Sequence, residues 1–414
     1  MQTRFTPDDT PEEFLAAQRL ADVTLPPFRL RALLETAGSP VEVLKMRGDV
    51  LQSPPLGLTE KQRERFEKVR AQSGSSQKVL GSAQNLRVVV LMWTDPEYPA
   101  SLLPFQDAPP LLFVCGTLLP EDALSVGIVG SRRATQYGRT QATHFSRTLV
   151  EHGVTIVSGG AAGIDTAAHR AALDAGGRTI AVLGCGPDIA YPAENRKLFE
   201  EIDERGAVLS EFAFGTRPEP WRFPTRNRII AGLSRISLVI EAPHDSGALI
   251  TARYAGDYGR EVWAVPGEVG SGRSRGCHQL IQNGCGLADS PEDLLRALNL
   301  AENADVSVPQ PRVRTRKASP NPAPSTEVTD AEKPSPKTAE APAASPAPPP
   351  TRLPVPLSVD EENLLAAIGS EPVHLDEAVQ AAGLTAQQGA VAATLLEMKA
   401  LIERQPGNFF IRTL

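Results

Sequence analysis

Cysteine is scarce in this chain of 414 residues: Cys115, Cys185, Cys277 and Cys285 form no C-x-x-C pair and stand beside no histidine cluster. That spacing excludes the common zinc frameworks and a disulfide scaffold, so four reduced, mostly buried thiols are expected. No apolar run approaches the roughly 20 residues that cross a bilayer. The first residues, MQTRFTPDDTPEEF, lack the basic and apolar regions of a signal peptide, which points to a cytoplasmic protein without a membrane partner. Catalytic signatures are missing too. There is no Walker A lysine motif and no G-x-S-x-G, and His144, His152, His169 and His244 have no nucleophile at a recognisable spacing. Neither an enzyme nor a cofactor is expected.

A net charge of −7 argues at first against a nucleic-acid partner. Its distribution changes that reading. Residues 358–414 carry eight acids against three bases, whereas 121–300 holds 19 bases and 21 acids. Any cationic face in the centre must come from segregation of charge, not from its total.

Along the chain, 1–80 reads as a compact helical domain of the helix-hairpin-helix or SAM-like kind, its short helical runs separated by Gly and Pro. A stretch of strand character, NLRVVVLMWTDPEYPASL and PPLLFVCGTL, connects it to the centre. From 81 to 300, apolar strand-like runs (SVGIVG, VTIVSG, TIAVLG, AVLSEF, ISLVIEA, EVWAVPG and a short GCGLA) alternate with helical ones. This alternation predicts an α/β fold, an extended Rossmann-like, doubly wound and mostly parallel sheet. Residues 301–357 are rich in Pro, Ala and Ser and read as a disordered linker. Behind it, 358–414 reads as three short helices and a hairpin around Pro406–Gly407–Asn408, the pattern of a winged helix.

Three glycine-rich loops follow apolar strands and lead into helices: SVGIVGSRRAT (125–135), VTIVSGGAAGID (154–165) and LVIEAPHDSGALITA (238–252). In one parallel sheet they would share an edge, with backbone N–H groups at helix starts suited to anions. The first carries Ser131, Arg132 and Arg133; its Gly127 and Gly130 lack the G-x-G-x-x-G spacing of a dinucleotide site. In the second, Gly159, Gly160, Ala161 and Gly163 permit a nest of N–H groups, and Asp165 is placed to cap the next helix. The third offers Ser246 and Gly247 at a helix start. Tight turns without a ligand would explain the same glycines. Between loops two and three, WRFPTRNRIIAGLS sets Arg222, Arg226, Asn227 and Arg228 around Trp221 and Phe223. Guanidinium groups grip phosphates and aromatic rings stack on unpaired bases, though an internal Arg–carboxylate network with core aromatics would use the same residues.

The ordered set VGIVGSRRATQYG, SGGAAGIDTAAH, AVLGCGPDIAYPAENRKL, FPTRNRIIAGLS, EAPHDSGALITARYA and GREVWAVPG, over about 125–267, closely resembles the DNA processing protein A (DprA/Smf) family. The resemblance implies a non-enzymatic protein that binds single-stranded DNA without sequence preference and loads a RecA-family recombinase onto it in natural transformation or recombination. It also implies DNA contacts from Arg132, from Gly159, Gly160 and Gly163, and from Phe223, Arg226, Asn227 and Arg228. Family members self-associate through the C-terminal part of the Rossmann-like domain, where Leu280, Ile281 and Leu287 are the candidates here for a homodimer. Where some members carry a lysine after the Y-P pair, this chain has Ala193, with Arg196 and Lys197 one turn on. The acidic tail module suggests a protein contact or regulatory role, since phosphates would repel it. An alternative is a Rossmann-like nucleotide hydrolase of the lysine-decarboxylase-like, phosphoribohydrolase type, but loop two lacks the glutamate such enzymes use.

Overall fold

The computed structural model describes residues 3–52, 56–71, 76–302, 358–369, 372–398, 401–405 and 409–412. Most of the segment read as a linker, from 303 to 357, and the hairpin tip 406–408 lie outside the described residues.

Six helices open the chain: α1 (Pro11–Asp22), α2 (Pro27–Ala37), α3 (Pro40–Lys45), α4 (Gly48–Gln52), α5 (Glu60–Arg70) and α6 (Ser76–Asn85). Pro in the first turn starts three of them, where its missing N–H costs nothing. Thr59 closes a capping box with Gln62 at the start of α5. Their inward faces, with Phe14, Leu33, Leu34 and Phe66 fully buried, pack into one core with the neighbouring sheet.

That sheet has ten strands, in the order β1-β2-β3-β7-β6-β5-β4-β8-β9-β10. Seven are parallel and match the expected runs: β4 (Ser125–Val129), β5 (Thr155–Ser158), β6 (Thr179–Val182), β7 (Ala207–Ser210), β8 (Ile236–Val239), β9 (Glu261–Ala264) and β10 (Gly286–Leu287). Strands β4 to β8 are buried throughout, as expected of a sheet covered on both faces. The stretch of strand character that joins the helical domain to the centre extends the sheet. β2 (Val89–Met92) and β3 (Leu111–Gly116) run antiparallel, β3 against β7, and β1 (Arg4–Phe5) from the start of the chain pairs with β2.

The crossover helices are α7 (Gln136–Glu151), α8 (Ile164–Asp174), α9 (Arg196–Arg205), α10 (Arg222–Leu233), α11 (Ala248–Asp257) and α12 (Arg275–Gln282), followed by α13 (Pro291–Glu302). From β4 the chain winds outward through β5, β6 and β7, then returns to lay β8 on the other side of β4. The switch point of the topology therefore lies between β4 and β8, the place where an open α/β sheet leaves a crevice.

The C-terminal module comprises α14 (Val359–Ala367), β11 (Val373–His374), α15 (Leu375–Ala381), α16 (Ala386–Met398), β12 (Ile402–Gln405) and β13 (Phe409–Arg412). Its three strands form a separate antiparallel sheet, β11-β13-β12, which is the winged-helix arrangement. It touches the helical domain through Phe28 and Arg29. Among the described residues no helix is long and apolar enough to cross a membrane, and no group of three or more His, Cys, Asp or Glu could hold a metal ion.

Candidate nucleic-acid interface

At the switch point the loops after β4, β5 and β8 come together with the loop after β6 and the start of α10. They enclose a cavity of about 350 Å³. Glu241, at the end of β8, ties two of these loops into one wall. Its carbonyl accepts from the Ser131 amide at 2.7 Å, and its carboxylate accepts from the amide and the hydroxyl of Thr135, the N-cap of α7. Glu241 is buried, and nothing in its local sequence beyond its place at a strand end marks this role.

Arg132 stands exposed at the lip, its guanidinium 4.8 Å from the centroid of the Phe223 ring. Tyr191, from the loop after β6, lies 5.4 Å from that ring and is 42 % exposed. Asn227 donates from Nδ2 to the carbonyl of Gly247 at 3.1 Å, which fixes loop three to α10. Arg132, Ala161, Phe223, Arg226, Asn227, Ser246 and Gly247 all line the cavity, so these predicted residues do meet. Tyr191 joins them. The signal for it was available, because loops after parallel strands share an edge and Tyr191 follows β6.

The other predicted residues sit elsewhere. Arg228 is only 5 % exposed and is bonded to Glu211, so its guanidinium faces inward, away from the cavity. This corrects the expectation that Arg228 faces a ligand together with Arg226: two residues apart on a helix, they point to opposite faces. Arg222 lies over the Trp221 and Phe212 rings and bonds the carbonyl of Arg217. Arg133 is exposed outside the cavity, and Ser131 turns its hydroxyl to the Arg133 amide. Gly159, Gly160 and Gly163 do not line the cavity, and the demand on them is internal. A Cβ on Gly159 would strike Arg226, one on Gly160 the Phe199 ring, and one on Gly163, at φ +89°, the backbone of Ser131. Of that loop, Ala161 and the following Asp165 reach the cavity.

The electrostatics of the floor are set by burial. Arg226 is 3 % exposed and donates from Nη1 to the carbonyls of Gly159, at 2.6 Å, and Val182. Burial lowers its pKa to about 10, with Asp165 opposing the shift. Asp165 accepts from the Ala161 amide, and burial raises it to about 6 against the pull of Arg226. Arg226 Nε and Thr251 Oγ1 are buried without a hydrogen-bond partner among the described residues, and both residues line the cavity. Behind the floor, His169 is fully buried. The Thr179 hydroxyl gives its one proton to the Ile156 carbonyl and so accepts from His169 Nδ1 at 2.7 Å, leaving Nε2 unprotonated. Burial and Arg226 hold that imidazole neutral, lowering its pKa to about 3.

A cleft at the switch point, with glycine-rich loops, an exposed guanidinium and aromatic rings, defines a Rossmann-like binding protein. The family model described as DNA recombination-mediator protein A matches residues 89–299, and that of the DprA winged helix domain matches 341–408. The chain belongs to the DprA/Smf family of DNA-processing proteins. It is 39 % identical over 322 residues to Protein Smf of Synechocystis, covering 77 % of this chain and 78 % of that one. With DNA processing protein DprA of Streptococcus pneumoniae it shares 47 % identity over 201 residues, 49 % of this chain and 71 % of that one. The crystal structure of the pneumococcal DprA aligns with a TM-score of 0.58 at 38 % identity, covering 67 % of this chain and 95 % of that one.

Proposed function

We propose that this protein binds single-stranded DNA without sequence preference and delivers the bound strand to a RecA-family recombinase during transformation or recombination. The single observation that carries the reading is Arg132: an exposed cation stacked on an aromatic ring at the mouth of a cleft walled by backbone loops. A guanidinium offers bidentate bonds to a phosphodiester, and the rings beside it offer π-faces that a duplex hides. Among the described residues that line the cavity, no nucleophile is paired with a base. Asp165, its lining carboxylate, is held by a backbone amide beside Arg226, so binding is favoured over bond cleavage.

Self-association through the C-terminal part of the sheet belongs to the same proposal. Leu287 on the edge strand β10 is exposed, while Leu280 and Ile281 pack partly against the core. Two clefts in one dimer would raise affinity through effective concentration. The test is a titration of single- and double-stranded oligonucleotides of equal length over a salt series. Preference for the single strand is expected, with log affinity falling by about 0.7 per neutralised phosphate for each decade of salt. Equal binding of the duplex, or hydrolysis of nucleotides by the purified protein, overturns the reading. Filament assembly by an added recombinase on strands coated with its single-strand-binding protein, with and without this chain, tests delivery.

A further inference from the structure

One wall of the cleft has no regular structure to hold it. Residues 211–221 connect β7 to α10 without a helix or strand, and Pro218 and Pro220 of this stretch line the cavity ahead of Phe223. The loop is tied instead to the helical domain. Gln18 of α1 is only 6 % exposed, and both halves of its amide engage the backbone of Phe214. Its Oε1 accepts from the Phe214 amide at 2.8 Å, and its Nε2 donates to the Phe214 carbonyl at 3.3 Å. A buried carboxamide is costly unless its donor and acceptor are met, so this pairing fixes the loop in place and in direction. The Phe214 ring stands edge-on to Phe14 of α1, with centroids 6.0 Å apart. The next residue, Gly215, donates its amide to Asp188 of the loop after β6 at 2.9 Å. One short stretch of backbone thus joins α1 to two loops of the cleft.

We propose that Gln18 is a positioning residue for the bound strand: through it, α1 holds the loop after β7 in the conformation that completes the cleft. The helical domain then belongs to the binding machinery, although none of its described residues lines the cavity. This rests on the single-strand reading above and adds to it a residue and a task for the N-terminal domain. Without the pairing the loop samples other conformations, and affinity falls by the fraction of time the cleft is complete. The phosphates neutralised stay the same in number, so the salt slope does not move.

The test uses the full chain and a fluorescent thymidine tract. Gln18→Leu keeps the bulk of the side chain and removes both bonds; it is expected to weaken binding about tenfold with the salt slope unchanged. Leu33→Ala opens a cavity in the same helical core from α2, and is expected to leave the affinity where it was. Hydrogen exchange on the unaltered protein gives a reading that needs no variant: the bound tract is expected to slow exchange both in 211–221 and in α1. Equal affinity of Gln18→Leu and the parent, an equal loss in Leu33→Ala, or exchange in α1 unmoved by the strand overturns the positioning role and leaves the single-strand reading standing. If the unaltered protein does not bind the tract, the single-strand reading falls and the positioning role with it.

Discussion

The buried guanidinium of Arg226 rests on Gly159: its Nη1 donates to that carbonyl at 2.6 Å, and any Cβ at position 159 would collide with the same nitrogen. The Arg226 side chain cannot swing aside, because the Val182 carbonyl also holds it. Gly159→Ala is therefore expected to lower stability by about 1–3 kcal/mol, as overpacking of a filled core does. Gly247 belongs to an equally glycine-rich loop, yet nothing lies within 4 Å of a Cβ built there. Gly247→Ala should stay within about 0.5 kcal/mol of the parent. Urea unfolding of the two variants side by side decides the matter, and equal stabilities would contradict it.

Arg132 and Arg228 carry the same charge and serve opposite ends. Arg132→Ala should leave the melting temperature unchanged, weaken single-strand binding and reduce the salt slope by about 0.7, the share of one phosphate. Arg228→Met should unfold the protein more readily by about 3–5 kcal/mol, because Glu211 would be left buried without its partner. Binding isotherms and thermal melts on both variants separate the roles; a salt slope unaffected by Arg132→Ala would remove it from the interface.

These contrasts mark how far the sequence could be read. The parallel strands β4 to β9 were legible because each is a short apolar run between turn residues, and the sheet edge followed from the loops after them. β1, two residues long, carries too little pattern to be seen and exists because β2 offers an open edge. The arginines of α10 were not separable by charge, since burial of Arg226 and Arg228 depends on carbonyls and a carboxylate up to 67 residues away. The glycines of loop two fit a nest of N–H groups or a plain tight turn in the sequence, and the constraint from Phe199, Arg226 and the first loop is one that only the tertiary fold creates.

His169 predicts an acid limb in stability. Its folded pKa, about 3, lies below the ordinary value of 6.5. The unfolded chain therefore takes up a proton at pH values where the folded one refuses it. The stabilisation is fully present above pH 6.5 and is lost as the pH falls towards 3, at about 1.4 kcal/mol per unit within that window. His169→Asn keeps an N–H for Thr179 and cannot titrate. Between pH 6 and 5, above most carboxylate titrations, its unfolding free energy should change less than that of the parent by about that amount. Identical slopes would show that the imidazole is not the group responsible.

The winged-helix module meets the helical domain at Arg29 and Phe28. Arg29 is fixed by the carbonyls of Leu56, at 2.5 Å, and Gly57, at 2.7 Å, and its Nε donates to Glu377 at 2.6 Å. Beside it, the Phe28 ring lies 5.4 Å from Phe409 and 6.1 Å from His374. Both partners of the ion pair are largely shielded, at 18 % and 16 % side-chain exposure, so the bond is weakly screened and contributes about 1.5–3 kcal/mol. Glu377→Arg sets two guanidinium groups against each other, and Phe28→Ala removes the aromatic half of the contact; together they should release the module. Small-angle scattering should then record a larger radius of gyration, while the melting of the Rossmann-like core stays where it was. Because the module holds eight acids against three bases, its release should leave single-strand affinity equal or higher. A fall in affinity with an unchanged salt slope on the core variants would instead place the module on the strand.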